Sequence, residues 1–431
     1  MGKSKIQTLQ SPRGMHDILP QDQEWWDKVR KETEFIADYY QCLRIETPIM
    51  ERVEVFEKSL GATTDIIQKG MFEVKSGSGD QLVLRPENTA SIVRAYVQHG
   101  LSHLGQPLKL FYIGPMFRKE QTQAGRYRQF NQVGFEILGG DSDPVYDAQV
   151  ILTSYRLLER LKVREVTIHI NSIGCRVCRP NYRKKLLEYY KEHVSQLCGD
   201  CRRRYKENPL RLLDCKNEKC QSFKTHAPII VDSLCVNCSK HFKQVLEFLE
   251  ELKLPYQIDH QLVRGLDYYN KTIFEFFTEL KRPNGEAFDF ALLSGGRYDY
   301  LMEQFGARQS AAVGSAMGIE RVIEVMKETG VKLGNRSRIK IFFINIGETA
   351  KRKSFGLIEK LRDEGIYTIE SLGKDSLSAQ LHAAHKEGAT YALIFGQKEA
   401  FEESMIIRDL QNSVQETVPL KNLIKEVKRR L

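Results

Sequence analysis

No apolar run in these 431 residues approaches the ~18–20 residues needed to cross a bilayer as a helix, which excludes a helical membrane protein. The opening stretch, Met1–Pro12, is polar and lacks the apolar segment of a secretory signal, so a cytoplasmic location is expected. Internal repeats and low-complexity tracts are missing too, which removes solenoids and repeat arrays from consideration. Outside one segment cysteine is nearly absent: of nine, only Cys42 lies beyond residues 175–238. What remains is the composition of an ordinary soluble protein, too long for one hydrophobic core and expected to divide into domains.

The net charge is +9, and its placement says more than its size. Residues 171–225 hold 14 Lys+Arg against 6 Asp+Glu, so nearly the whole basic excess sits there. A local patch of this kind suits a polyanion such as RNA, although a solvated helical face has the same composition.

Hydrophobic periodicity predicts a first helix from Asp22, its N-cap, with Trp26, Val29, Ile36 and Tyr40 on one stripe. An extended stretch follows at residues 45–50, with Pro48 suited to a strand rim. Residues 108–118 and 128–138 read as two strands joined by a polar loop. Period-two alternation puts Val133, Phe135 and Ile137 on one face, with Phe111, Ile113 and Phe117 on the matching face of the partner strand. The opposite face carries Tyr112, Met116, Arg118, Gln132 and Glu136, polar enough to be a site. Residues 172–245 are helical, basic and cysteine-rich, and read as an insertion. Strands resume near 256–262 and 272–277, then a glycine-rich run at 294–298 and a helix after Gly318 with Ile319, Val322, Ile323 and Met326 on one face. Beyond a polar hinge at 334–338, a βαβαβ alternation predicts a second, α/β domain over 338–431.

The hairpin loop carries chemistry. In Phe117-Arg118-Lys119-Glu120 … Gly125-Arg126-Tyr127-Arg128-Gln129-Phe130, a guanidinium fork on a strand can neutralise two oxygens of a phosphate under attack. In Gly314-Ser315-Ala316-Met317-Gly318-Ile319-Glu320-Arg321, small residues let backbone approach a nucleotide, and Arg321 lies opposite the apolar stripe, where it can meet a γ-phosphate. These runs resemble motifs 2 and 3 of class II aminoacyl-tRNA synthetases, and Pro48 within Thr47-Pro48-Ile49-Met50-Glu51 fits motif 1. Leu262-Val263-Arg264-Gly265-Leu266-Asp267-Tyr268-Tyr269-Asn270 and Ser294-Gly295-Gly296-Arg297-Tyr298-Asp299 resemble the two signatures of the histidyl-tRNA synthetase family. With Leu84-Arg85-Pro86-Glu87-Asn88-Thr89-Ala90 upstream, the likeness runs from about Arg13 to the C-terminus.

The resemblance implies an α+β fold: a class II catalytic domain at residues 1–330, mainly an antiparallel sheet flanked by helices, interrupted by the 172–245 insertion and followed by an anticodon-binding α/β domain at 338–431. It implies ATP-dependent ligation of L-histidine to tRNA(His), Mg²⁺ accompanying ATP, and a homodimer. Glu87, Thr89 and Gln132 would hold the α-amino group, and Glu136 and Tyr269 the imidazole, with Tyr268 beside them. Arg264 would bridge the histidine carboxylate and the α-phosphate. Arg118 would serve both substrates in catalysis, with Glu120, Arg126 and Arg321 binding ATP and Gln121 and Gln123 facing the tRNA acceptor end. Strand parity favours Tyr269 over Tyr268 as the residue facing the site. A regulatory paralogue of the histidine-biosynthetic ATP phosphoribosyltransferase, or an RNA-binding sensor without activity, would share the fold. The 338–431 segment speaks against the first of these and intact Arg118 and Arg321 against the second, while Arg264 speaks against both.

Three positions depart from the family pattern: Gln121-Thr122-Gln123 for a usual Arg-Pro-Gln, Asn88 for a common Gly, and Ser315 for a common apolar residue. The insertion cysteines form the pairs Cys175/Cys178, Cys198/Cys201, Cys215/Cys220 and Cys235/Cys238. Three C-x-x-C spacings and one C-x₄-C suit tetrahedral zinc, or equally a set of buried reduced thiols. A reducing compartment argues against disulfides.

Overall fold

The computed structural model describes residues 9–61, 64, 67, 70–75, 77, 79–119, 125–333, 341–371, 373 and 376–431. The chain divides into two compact units, Met1–Leu333 and Gly334–Leu431.

The first unit is built on an eight-stranded sheet. Its strands run in the order Leu43–Arg44, Leu108–Phe117, Gln129–Leu138, Ala312–Gly318, Leu293–Arg297, Asn270–Thr278, Val166–Ser172 and Tyr256–Ile258. All interior pairings are antiparallel, and only the two edge strands join in parallel. The alternation read in the hairpin separates two cores. Phe111, Val133, Phe135 and Ile137 pack under the helices Gln23–Tyr39, Pro144–Arg160, Val236–Glu251 and Ile319–Glu328. The other face is not purely polar: Tyr112, Met116 and Leu138 join a second core with the helices Val53–Leu60 and Thr89–Gln98 and with Tyr182, Leu186 and Tyr190 of the insertion. The site therefore sits on a sheet face that is half packed.

Local chemistry sets the helices. Asp143 caps Pro144–Arg160 through the Val145 amide at 2.8 Å, with proline at the first helical position, where its missing N–H costs nothing. Asp22 occupies the N-cap of Gln23–Tyr39 but makes no capping bond; its carboxylate pairs with Lys327 of a neighbouring helix instead. Three short strands, Met50–Arg52, Gln81–Leu84 and Phe72–Lys75, form a side sheet leading into the Glu87 loop. The second unit has five strands ordered Thr368–Glu370, Ile341–Asn345, Tyr391–Phe395, Ser404–Asp409 and Gln415–Pro419, the first three parallel and the last two antiparallel additions. Buried Asn345 and Gln380 exchange two hydrogen bonds, 3.1 and 2.7 Å, tying helix Leu377–Lys386 to the sheet. Among the described residues no helix is long and apolar enough to cross a membrane.

Candidate active site

One cleft gathers most of the side chains singled out in the sequence. Glu87, Thr89, Arg118, Arg126, Gln132, Arg264, Tyr268, Tyr269 and Arg321 all line it. Glu120, Gln121 and Gln123 lie outside the described residues. Glu136 is fully buried beneath the wall rather than on it.

Glycines make the floor. Strand register sets Glu136 opposite Leu110 and Gly314, and Gly134 opposite Tyr112 and Ala316. A Cβ on Gly314 would stand 1.5 Å from Glu136 Oε2, and one on Gly134 would lie 2.1 Å from the Tyr112 ring. Only hydrogen at these two positions lets a carboxylate and a phenol lie flat against the sheet.

Two buried acids belong to the site. Glu136 accepts from Thr89 Oγ1 at 2.8 Å and from the Tyr298 hydroxyl. Burial raises its pKa to about 8, although both donors pull it down. Glu87 accepts the backbone amides of Thr89 at 2.7 Å and Ala90 at 2.9 Å, at the N-terminus of helix Thr89–Gln98, where unpaired N–H groups favour an anion. Burial still raises its pKa above the ordinary value, the two amides and Arg118 working against it. Nearby, the Gln132 side-chain oxygen and the Tyr112 hydroxyl are buried and make no hydrogen bond within the described residues. Carboxyls whose ionised form burial disfavours, beside buried polar atoms with no hydrogen bond within the described residues, suit a cationic, hydrogen-bonding ligand that would favour that form.

Tyr268 and Tyr269 correct the parity argument. They lie in a turn just before strand Asn270–Thr278, so alternation does not separate them, and both line the cleft with ring centroids 4.5 Å apart. Tyr298 packs edge-on against Tyr268 at 5.6 Å. Sequence reading placed Tyr298 in a family signature but gave it no role, because only the fold brings it to Glu136, which precedes it by 162 positions.

Arginines line the same cleft. Arg118 is anchored by Nε to the Pro86 carbonyl at 2.9 Å and lies over the Phe130 ring, 5.1 Å from its centroid. Arg321 donates to the carbonyls of Gly125 and Ala291, both at 2.8 Å. Arg264 pairs with Glu275 through Nη1 and donates to Ser294 Oγ at 2.7 Å through Nη2. Burial disfavours its charge, but Glu275 and the neighbouring tyrosines outweigh that, and its pKa is raised. Glu275 was invisible to motif reading, because it lies on a plain strand outside every signature. Glu320 fixes the hairpin by accepting from Asn131 N and Nδ2 at 2.8 and 2.9 Å.

Arg297 of the second signature does not enter the cleft. It is fully buried, pairs with Asp147, and reaches Asp299 at 3.0 Å. Burial alone would lift the Asp147 pKa, but Arg297 and His241 hold it well below the usual carboxylate range. Two of the three departures from the family pattern are accommodated, the third lying outside the described residues. Asn88 has φ −115°, needing no glycine, and its Oδ1 accepts from Thr47 and Arg85. Ser315 shares a 2.8 Å hydrogen bond with buried Ser154, a partner an apolar residue would not use.

The eight insertion cysteines, all unbridged, converge as two sets of four: Cys175, Cys178, Cys235 and Cys238, and Cys198, Cys201, Cys215 and Cys220.

Comparison with known proteins agrees with this geometry. The family model described as histidyl-tRNA synthetase matches residues 14–322, and one described as an anticodon binding domain matches 340–430. A histidine–tRNA ligase of Dehalococcoides mccartyi is 41% identical over 422 residues, covering 98% of this chain and 100% of the relative. One from Halothermothrix orenii is 41% identical over 423 residues, with 98% and 99% covered. The crystal structure of apo S. aureus histidyl-tRNA synthetase superposes with a TM-score of 0.80 at 29% identity, over 97% of this chain and 99% of that one. With full-length relatives at this identity and a family model spanning the whole cleft, the chain belongs to the histidyl-tRNA synthetase family.

Proposed function

We propose a role for the acids and the arginines of the cleft in the activity that family membership carries: ATP-dependent ligation of histidine to tRNA through histidyl-adenylate, with release of pyrophosphate and AMP. The pairing of two buried acids with a set of arginines in one cleft supports this reading most directly. Glu87, Thr89 and Gln132 take the α-ammonium of histidine. Glu136, oriented by Thr89 and Tyr298, serves the imidazole N–H, with Tyr269 and Tyr268 closing over the ring. Imidazole offers one donor and one acceptor, and a site built to satisfy both rejects analogues by ~10⁴-fold or more.

Adenylation needs no general base, because the histidine carboxylate is ionised at neutral pH. It needs positive charge where charge grows on the α-phosphate. Arg264, held by Glu275 and Ser294, and Arg118, held by Pro86, meet that need as fixed donors. Arg126, Glu120 and Arg321 would bind the rest of ATP, which arrives with Mg²⁺ neutralising its phosphates. The basic insertion, with Gln121 and Gln123 of the hairpin loop, would face the acceptor end of tRNA(His), and residues 338–431 its anticodon. Exposed Leu43, Ile49 and Met50 around the motif 1 segment support homodimer formation.

Histidine-driven ATP–pyrophosphate exchange tests it, followed by charging of tRNA(His). Exchange that ignores histidine, or that proceeds equally with another amino acid, would remove the assignment of the acids.

A further inference from the structure

Four thiols meet at each of two points in the insertion, assembled from separate stretches of chain. Within each set every sulfur lies within 4.8 Å of the others. Three of these pairs are closer still: Cys175–Cys178 3.6 Å, Cys175–Cys235 3.9 Å and Cys198–Cys215 3.8 Å. A tetrahedral Zn–S bond of about 2.3 Å implies sulfur–sulfur edges of about 3.8 Å. The match is to one ion rather than a multi-iron cluster, which holds its cysteines farther apart.

Backbone amides point at the sulfurs in both sets. Val177 N meets Cys175 Sγ at 3.4 Å, and Cys235 N meets Cys178 Sγ at 3.0 Å. In the other set, Cys201 N, Cys198 N and Asn217 N reach Cys198, Cys220 and Cys215 sulfurs, each at 3.4 Å. Neutral thiols are weak acceptors, whereas thiolates on zinc are strong ones, so these amides suit the ionised form. Zn²⁺ would displace the four thiol protons and leave each site with net charge −2, in a stretch of chain with a surplus of Lys and Arg.

Placement gives the sites a task. The first joins the entry of the insertion to its exit, 60 residues apart at Cys175 and Cys235. One residue past Cys178, Arg179 Nη2 donates to the Tyr269 carbonyl at 2.6 Å. The second closes the stretch between Cys201 and Cys215, and within it Asn208 Nδ2 donates to Asp267 Oδ1 at 2.9 Å. We propose that the insertion holds two zinc ions, one per four-cysteine set, and that together they anchor the Asp267–Tyr269 turn from two sides. The positioning role rests on reading that turn as part of the histidine site; the metal sites do not.

The test uses the full chain, purified under reducing conditions without added metal. Elemental analysis and native mass spectrometry should find two zinc ions per chain. Titration with an organomercurial should release both as eight thiols react. Cys198→Ser and Cys235→Ser should each lower the content to one. Asn208→Ala, which leaves every ligand in place, should keep two zinc ions and raise KM for histidine roughly fivefold in pyrophosphate exchange, with kcat little changed, as one lost hydrogen bond of about 1 kcal/mol implies. Folded protein with fewer than two metal ions, or with iron instead, overturns the sites. Two zinc ions with an unmoved histidine KM in Asn208→Ala overturns the positioning role. Zinc present with no histidine-driven exchange would instead count against the functional reading alone.

Discussion

Glu136→Gln isolates the most unusual electrostatic feature of the cleft. Burial lifts the Glu136 pKa from its ordinary 4.5 to about 8. A carboxyl whose folded pKa is raised contributes stability that is complete below the unfolded value and is lost as pH rises through the folded one. The unfolded chain releases this proton near pH 4.5, while the folded chain keeps it to about pH 8. Stability should therefore fall by about 1.4 kcal/mol per pH unit across that window, or roughly 2–4 kcal/mol from about pH 5 to about pH 8. Glutamine cannot ionise, keeps the shape, and can still exchange hydrogen bonds with Thr89 and Tyr298. The variant should lose that slope and be up to ~3 kcal/mol more stable than wild type near pH 7–8, while histidine-driven exchange collapses. Urea unfolding at several pH values, followed by tryptophan fluorescence, reads the relevant unit, because the two tryptophans, Trp25 and Trp26, sit in its first helix. Other titrating groups contribute equally to both proteins and cancel in the difference. A difference that stays constant with pH, or a variant less stable at high pH, would mean that Glu136 rests ionised and that the charge reasoning fails.

Four further outcomes are expected. Arg264→Ala should slow single-turnover adenylate formation by at least ~10²–10³ at saturating histidine, and Arg264→Lys should recover little, because a point charge cannot bridge two oxygens; equal loss in separately measured histidine affinity would make it a binding residue. Tyr298→Phe removes the hydroxyl that favours the Glu136 carboxylate and should lower kcat/KM for histidine by ~10–100-fold, leaving that for ATP nearly unchanged. Gly314→Ala drives a methyl into Glu136 and should cost about 1–3 kcal/mol in thermal or urea unfolding, with histidine no longer raising the melting temperature. Gln121→Arg should steepen the salt dependence of tRNA binding by about one phosphate contact, and an unchanged slope would place that loop away from the acceptor end.

Much of this protein was legible along the chain. Alternation in the hairpin separated the core residues Phe111, Val133, Phe135 and Ile137 from the face holding Gln132 and Glu136, since a strand has only two sides. Ordered motifs named the arginines and acids that one cleft then gathers. Spacing marked the cysteine pairs as possible ligands. The sequence could not show what depends on contacts between distant segments. Glu136 receives Tyr298 from just beyond the end of strand Leu293–Arg297, and Arg264 receives Glu275 from a strand outside every motif. Tyr268 and Tyr269 share the cleft because they sit in a turn, where period-two reasoning has no force. Which cysteine pair joins which was equally closed to spacing: four pairs can combine in three ways, and only folding brings the first to the fourth and the second to the third. Local pattern determines which face and which residue type, whereas partners across the chain are set by the packing of the whole sheet against its helices.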